Sequence, residues 1–441
     1  MSAVVTAAER ANPGALPQPF FNICLAAIAV GVASFVGGLA MGETQNVWLA
    51  FHANFIFFTM MSCGGLVLTA IYSIVGAHWP GPYKRFAESL AAFLPVSFVL
   101  GIISIFGGET IFDWQANGAM HGKEAWLNTT RFYTTDLALL AIMAFLSYIM
   151  LKASARPTLR NLAENGEGFA KKMAESWTAG WKGDEEERVA SKARTAFIAP
   201  FIALTYGIGF AFFSFDQVMS MEQAWFSNLF GNFVCWGGIL SAVAACAFSG
   251  VLSKDSAGFE GEINESRMHD IGKLMFAFSI FWMYLFWSQY LVIYYGNLPE
   301  ETYFIRDRLG DQFMIDKGYS AAAFAKSWST WDFEWARLQT GYGWLSMVVW
   351  ACNWLIPFWV LLGQRPKKTP WIAGPVALTL LVGLWLERNL LIWPSVVKGD
   401  MLAPFGMIQF GIAAGFIGAF LGVVIYYSRV FPTVAVAVQD D

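Results

Sequence analysis

Along most of this chain, apolar residues neither alternate nor recur as a helical stripe. They run on almost unbroken, and short polar segments separate the runs. A run of about 20 apolar residues is the length of helix that crosses a bilayer core. Ten runs of roughly that length lie near 20–41, 48–77, 87–108, 133–151, 196–215, 225–252, 271–297, 341–363, 371–395 and 403–428. In lipid every backbone polar group must be satisfied within the fold, which leaves helices or closed barrels. The pattern therefore predicts an all-α polytopic membrane protein with about ten transmembrane helices, flanked by polar tails at 1–19 and 429–441. Two connecting segments are long. The one at 152–195 mixes bases with the run DEEE and predicts a solvated helical segment. The other, 299–340, holds AFAKSWSTWDFEW, with Trp328, Trp331 and Trp335 at helical spacing. That spacing fits either a helix lying in the membrane interface or a docking surface for a partner protein.

Composition agrees and charge adds an orientation. Only 14% of residues are charged, against about 25% in soluble domains. A formal net charge of −4 with no basic patch excludes a nucleic-acid partner. Lys84, Arg85 and the run RPKK at 365–368 fall in loops on one side, whereas loops 42–47 and 216–224 on the other carry no base. Positive charge stays cytoplasmic, so both termini are expected there, with 152–195 cytoplasmic and 299–340 periplasmic. The first 20 residues show no basic region followed by a short apolar core, and no signal peptide is expected. The five cysteines form no metal-binding or haem-attachment spacing and read as small buried hydrophobes.

A charge at the bilayer centre costs about 2.5–3.5 kcal/mol on insertion scales, so each intramembrane charge asks for a reason. In GLWLERNLLIWP, Glu387 lies about 24 Å along its helix, in the outer third of the membrane. His52, Asp136, Asp216 and Glu222 share that zone, while His269, Asp270 and Lys273 lie toward the cytoplasm. Adjacent helix positions point about 100° apart, so Glu387 and Arg388 are expected to find partners on other helices. Asp136, Asp216 and Glu222 are the acids at a depth to suit Arg388. The pair is either packing glue or a protonatable station beside a fixed positive charge. The helix over 271–297 carries Ser279, Tyr284, Ser288, Gln289, Tyr290 and Tyr294, bracketed by Asp270 and Lys273 below and Glu300 and Glu301 above. These hydroxyls could relay protons, or serve as ordinary interhelical packing. No two histidines face each other at one depth, so a bis-histidine haem does not fit and no metal is expected on this chain.

A parallel repeat is suggested by a shift of four helices, relating bundles at about 48–215 and 225–395. Asn54–Phe55 and Gly64–Gly65 in the second helix would answer Asn232–Phe233 and Gly237–Gly238 in the sixth.

Read in order, AHWPGPYKRFAESLAAFLP, HDIGKLMFAFSIFWMYLFWSQYLVIYYGNLPEET and GLWLERNLLIWP resemble the NrfD/PsrC-like membrane subunits of alternative complex III, most closely the ActF-like ones. WLAFHANFIFF followed by Gly64–Gly65 fits the second helix of that family. The resemblance spans roughly 45–430. It implies two four-helix bundles flanked by peripheral helices, in the bacterial cytoplasmic membrane. It also implies a complex that oxidises menaquinol or ubiquinol and passes electrons to cytochrome c or an oxidase. The implied partners are a second NrfD/PsrC-like subunit, an Fe–S/molybdopterin-like periplasmic subunit, c-type cytochromes and a terminal oxidase, so that Fe–S clusters and haem c lie outside this chain. Carried to matching positions, a proton path would use Glu387, Arg388, Asp270, Lys273, His269, Glu300 and Glu301. Depth adds His52, Asp136 and Asp216, and the helix at 271–297 adds Tyr284, Ser288 and Tyr290. The alternative is a direct quinol site at His52, Asp136 and Glu387, which would require an apolar cleft near the outer face with an acid or His within hydrogen-bond reach of the quinol oxygen. A secondary transporter is the third reading, for which paired broken helices at mid-membrane would be the pointer.

Overall fold

The structure, a computed structural model, describes residues 18–166, 168–255, 261–310 and 341–430. Ten long apolar helices stand where the ten runs predict them. They are α1 (Gln18–Ala40), α2 (Thr44–Ile74), α3 (Pro82–Ile111), α4 (Thr129–Thr158) and α5 (Asp184–Met221), then α6 (Phe230–Ser253), α7 (Glu265–Gly296), α8 (Gly343–Val360), α9 (Pro370–Val396) and α10 (Met407–Val430). The protein is an all-α, multi-pass membrane protein. Trp328, Trp331 and Trp335 lie outside the described residues. Gln18 and the end of α10 share one face, called here the terminal face; the opposite one is the distal face.

Two rings of four helices form the body. In the first, α2 packs on α3 and α5, which are joined through α4. In the second, α6 packs on α7 and α9, which are joined through α8. The packing scheme of one ring is thus that of the other, shifted by four helices. The rings meet where α2 crosses α6, and a Cβ on Gly64 would strike the Gly238 carbonyl. Glycine is needed there because two backbones touch. One glycine of each pair in the suggested repeat, Gly64 and Gly238, therefore lies at the crossing of the central helices, while Gly65 faces α3 and Gly237 faces Arg388. Burial ranks the helices accordingly: 94% of the apolar window of α2 is buried, against 17% of that of α1.

α1 and α10 form an antiparallel pair, with Gly31 against Gly415 and Ser34 against Gly411. The pair sits on α2 and α3 through an aromatic cluster that includes Phe58, Phe93, Phe416 and Phe420.

The segment 152–195 carries the expected helices, Arg160–Asn165 and Gly168–Trp177, before α5. α5 begins at Asp184, with four acids in its first turn to complement the helix dipole. Buried Arg156 pairs with Glu187 through Nε–Oε2 at 2.5 Å and Nη2–Oε1 at 2.8 Å. That fork fixes the first turn of α5 against the end of α4.

Candidate functional site

α7 ends at Asn297, whose φ of 44° is the left-handed conformation that asparagine tolerates. Pro299 then starts a short helix, Pro299–Leu309, at the distal face. Its first turn carries Glu300 and Glu301 and its last turn Arg306 and Arg308, the charge order a helix dipole favours. Phe304, Ile305, Arg308 and Leu309 are buried. This helix props α7 away from α8. The first half of α8, Gly343–Trp350, packs on α9 and on Pro299–Leu309, and α7 packs on α8 mainly from the π-helical turn Ala351–Leu355 onward.

The splay opens a cleft of about 450 Å³ between α6, α7, α8 and α9. Its walls are almost wholly apolar and aromatic. On α7, Trp282, Phe286 and Tyr290 stack in near-parallel steps of 6.0 and 6.4 Å between ring centres. Trp225 lies flat on Phe304 at 3.6 Å, and the Arg308 guanidinium covers the other side of that ring at 3.5 Å. Trp287 lines the cleft and is 49% exposed, so this wall reaches the lipid-facing surface.

Glu387 is the carboxylate of the cleft. Its Oε2 accepts from Trp282 Nε1 at 3.2 Å, and its Oε1 lies 3.4 Å from Arg388 Nη1. Arg388 is buried as well, and its Nη2 donates to the Val234 carbonyl of α6 at 2.9 Å. Room for the guanidinium comes from Gly237, where a Cβ would collide with Nη2. This corrects the expectation of separate partners: the neighbouring side chains curl toward each other, and α6 and α7 complete the coordination. The acids named for Arg388 are engaged elsewhere. Asp216 binds Arg131, Asp136 accepts from Gln217 Nε2 at 2.6 Å, and Glu222 binds Lys398 at 2.8 Å.

The remaining sequence candidates separate. Tyr290 lines the cleft, but Tyr284 is 59% exposed on the outside of the ring. Ser288 is turned back on its own helix, its hydroxyl donating to the Tyr284 carbonyl at 2.7 Å. Asp270 and Lys273 pair at 2.6 Å in the first turns of α7 near the terminal face, with partly exposed His269 beside them. Glu300 and Glu301 line no part of the cleft.

His52, Asp136 and Asp216 belong to the first ring and form their own buried group. His52 Nε2 donates to the Gln217 carbonyl at 2.7 Å, which fixes that nitrogen as the protonated one. His52 Nδ1 and Asp136 Oδ1 find no partner among the described residues. At the terminal end of the same ring stands a cluster that the candidate residues omit. Arg85 and Glu88 are ion-paired with neither side chain exposed, Ser154 Oγ donates to Glu88 Oε1 at 2.5 Å, and Tyr427 lies at 3.4 Å from Oε2. The i,i+3 spacing in YKRFAES is the signal that could have found it. Arg308 was also missed, because it sits in what reads from sequence as a long outer loop. Between the two groups, the buried hydroxyls of Thr59 and Ser97 have no partner among the described residues.

Among the described residues, no three His, Cys, Asp or Glu side chains converge as a metal site. Compared with protein-family models and with curated proteins, the chain matches none.

Proposed function

We propose that this chain is a membrane subunit of a respiratory quinol-oxidising complex in the bacterial cytoplasmic membrane, and that its second ring receives the quinol head group. The observation that carries the reading is the aromatic cleft with Glu387 as its carboxylate. A quinol is a flat, lipid-soluble ring that must give up hydroxyl protons. The cleft offers aromatic walls, a lipid-facing side and one buried carboxylate to accept a proton. Trp282 and Arg388 hold that carboxylate in position. The oxidising centres, Fe–S clusters and c-type haems, would belong to partner subunits.

A second reading, proton transfer across the membrane, is favoured by the first ring. It has buried ionisable groups at both ends, His52 with Asp136 and Arg85 with Glu88. Thr59 lies two turns from His52 on α2, and its unpartnered hydroxyl is of the kind that recruits ordered water. One chain can carry both functions, with the cleft feeding protons and the first ring moving them.

Glu387→Gln in the intact complex, reconstituted in proteoliposomes, separates these roles when quinol oxidation and proton release are recorded together. Gln keeps the size and can still accept from Trp282 but takes no proton. The expected result is a fall in turnover of about 10²–10⁴-fold, the usual worth of a positioned base. Persistent turnover with fewer protons released per electron would move Glu387 to the coupling path. No change in either quantity would make the Glu387–Arg388 pair a packing element.

A further inference from the structure

Arg308 is a buried cation that lines the cleft. It is 4% exposed, and among the described residues it forms no ion pair. The acids nearest to it in charge terms, Glu222 and Asp307, are taken by Lys398 at 2.8 and 2.9 Å. Burial pulls its pKa down to about 10, only partly offset by those acids, so at neutral pH it remains charged.

A guanidinium has five N–H donors. Those of Arg308 meet three acceptors: the Phe304 carbonyl at 3.1 Å, the Leu391 carbonyl at 2.8 Å and Ser395 Oγ at 2.6 Å. The Nε has no partner among the described residues. Keeping a buried donor unpaired costs about 1–3 kcal/mol, more when charged, so an acceptor supplied by a ligand would recover that loss.

The same contacts place Arg308 relative to Glu387. Leu391 is one turn beyond Glu387 on α9, about 6 Å along the axis. Glu387 and Arg308 both line the cleft, so the carboxylate and the guanidinium flank one stretch of it. The walls along that stretch are apolar, and an anionic head group would lose its hydration there with only one cation in return. A neutral ring with two opposed oxygens fits better.

We propose that Arg308 is the second polar anchor of the cleft, donating to the far oxygen of a quinol-class ring whose near hydroxyl donates to Glu387. The inference rests on the cleft being the quinol site and adds a residue that selects for a ring with oxygens at both ends. Arg308 would hold the oxidised ring as firmly as the reduced one, since a quinone carbonyl and a quinol hydroxyl both accept.

The test is equilibrium binding of a radiolabelled short-chain ubiquinol, kept reduced under argon, to the full chain in nanodiscs, with oleate and a 4-alkylphenol as competitors. Arg308→Gln should raise the Kd about tenfold, or about 1.4 kcal/mol. Glu300→Gln, on the same helix but away from the cleft, should not change it. The 4-alkylphenol, which lacks the far oxygen, should bind wild type about tenfold more weakly than the quinol. It should bind Arg308→Lys no more weakly than wild type, which guards against an Arg308→Gln chain that does not fold. Unchanged quinol affinity in a folded Arg308→Gln chain, or a phenol that binds wild type as well as the quinol does, overturns the assignment while the cleft reading stands. Saturable oleate binding with no quinol binding overturns both, as does wild type binding neither.

Discussion

Glu387 and Arg388 are held 3.4 Å apart with almost no exposure, where an unpaired charge of either sign costs several kcal/mol. Their stability is a property of the pair. Arg388→Met alone strands a buried carboxylate and should destabilise the chain by about 3–5 kcal/mol. Glu387→Gln with Arg388→Met removes both charges and should cost much less than the sum of the single changes. Chemical unfolding of the four chains in detergent gives the coupling directly. Losses that add to within about 0.5 kcal/mol would mean the side chains do not act together. Asn353 of α8 adds to the polar character of this region: it is fully buried, and its packing against α9 needs Gly383, one turn from Glu387.

At the scale of elements, the crossing of α2 and α6 is the joint on which both rings hang. Gly64→Val would force its side chain into the Gly238 backbone, and overpacking of this kind costs about 1–3 kcal/mol or more. Gly37→Val on α1, where a Cβ meets nothing within 4 Å, is the matched control and should be neutral. Thermal unfolding of the two variants would show the difference, and equal midpoints would remove the joint from the account. The spans themselves were legible in sequence because their length is set by the bilayer, and apolar length is written directly in the residues. Rotation about each helix axis was not. A helix apolar on every side carries no stripe to mark which face turns inward. That is why Tyr284 and Ser288, one turn apart on α7, read as pathway residues yet face outward or backward. Glu387 was legible because a charge has only the interior to hide in. The cleft was not, since it comes from the splay of α7 from α8 around a helix that sequence places in a loop. Depth alone also misassigned Arg388, because it ranks partners by level and says nothing about which ring they occupy.

At the scale of the whole molecule, two similar rings have been given different interiors. The first has buried ionisable groups at either end and, between them, hydroxyls without a partner among the described residues. The second is open on its lipid side, with the Glu387 carboxylate and the Arg308 guanidinium lining an aromatic cleft. The two rings share a packing scheme, and the helix Pro299–Leu309 sets the second apart by standing between α7 and the first half of α8. Whether this cleft takes the quinol ring is decided by photoaffinity labelling of the intact complex with an azidoquinone, mapped by peptide mass spectrometry. Adducts are expected within 282–293, 304–309, 346–350 and 387–391, suppressed by excess unlabelled quinone. Competable adducts confined to 44–221, in the first ring, would contradict that placement.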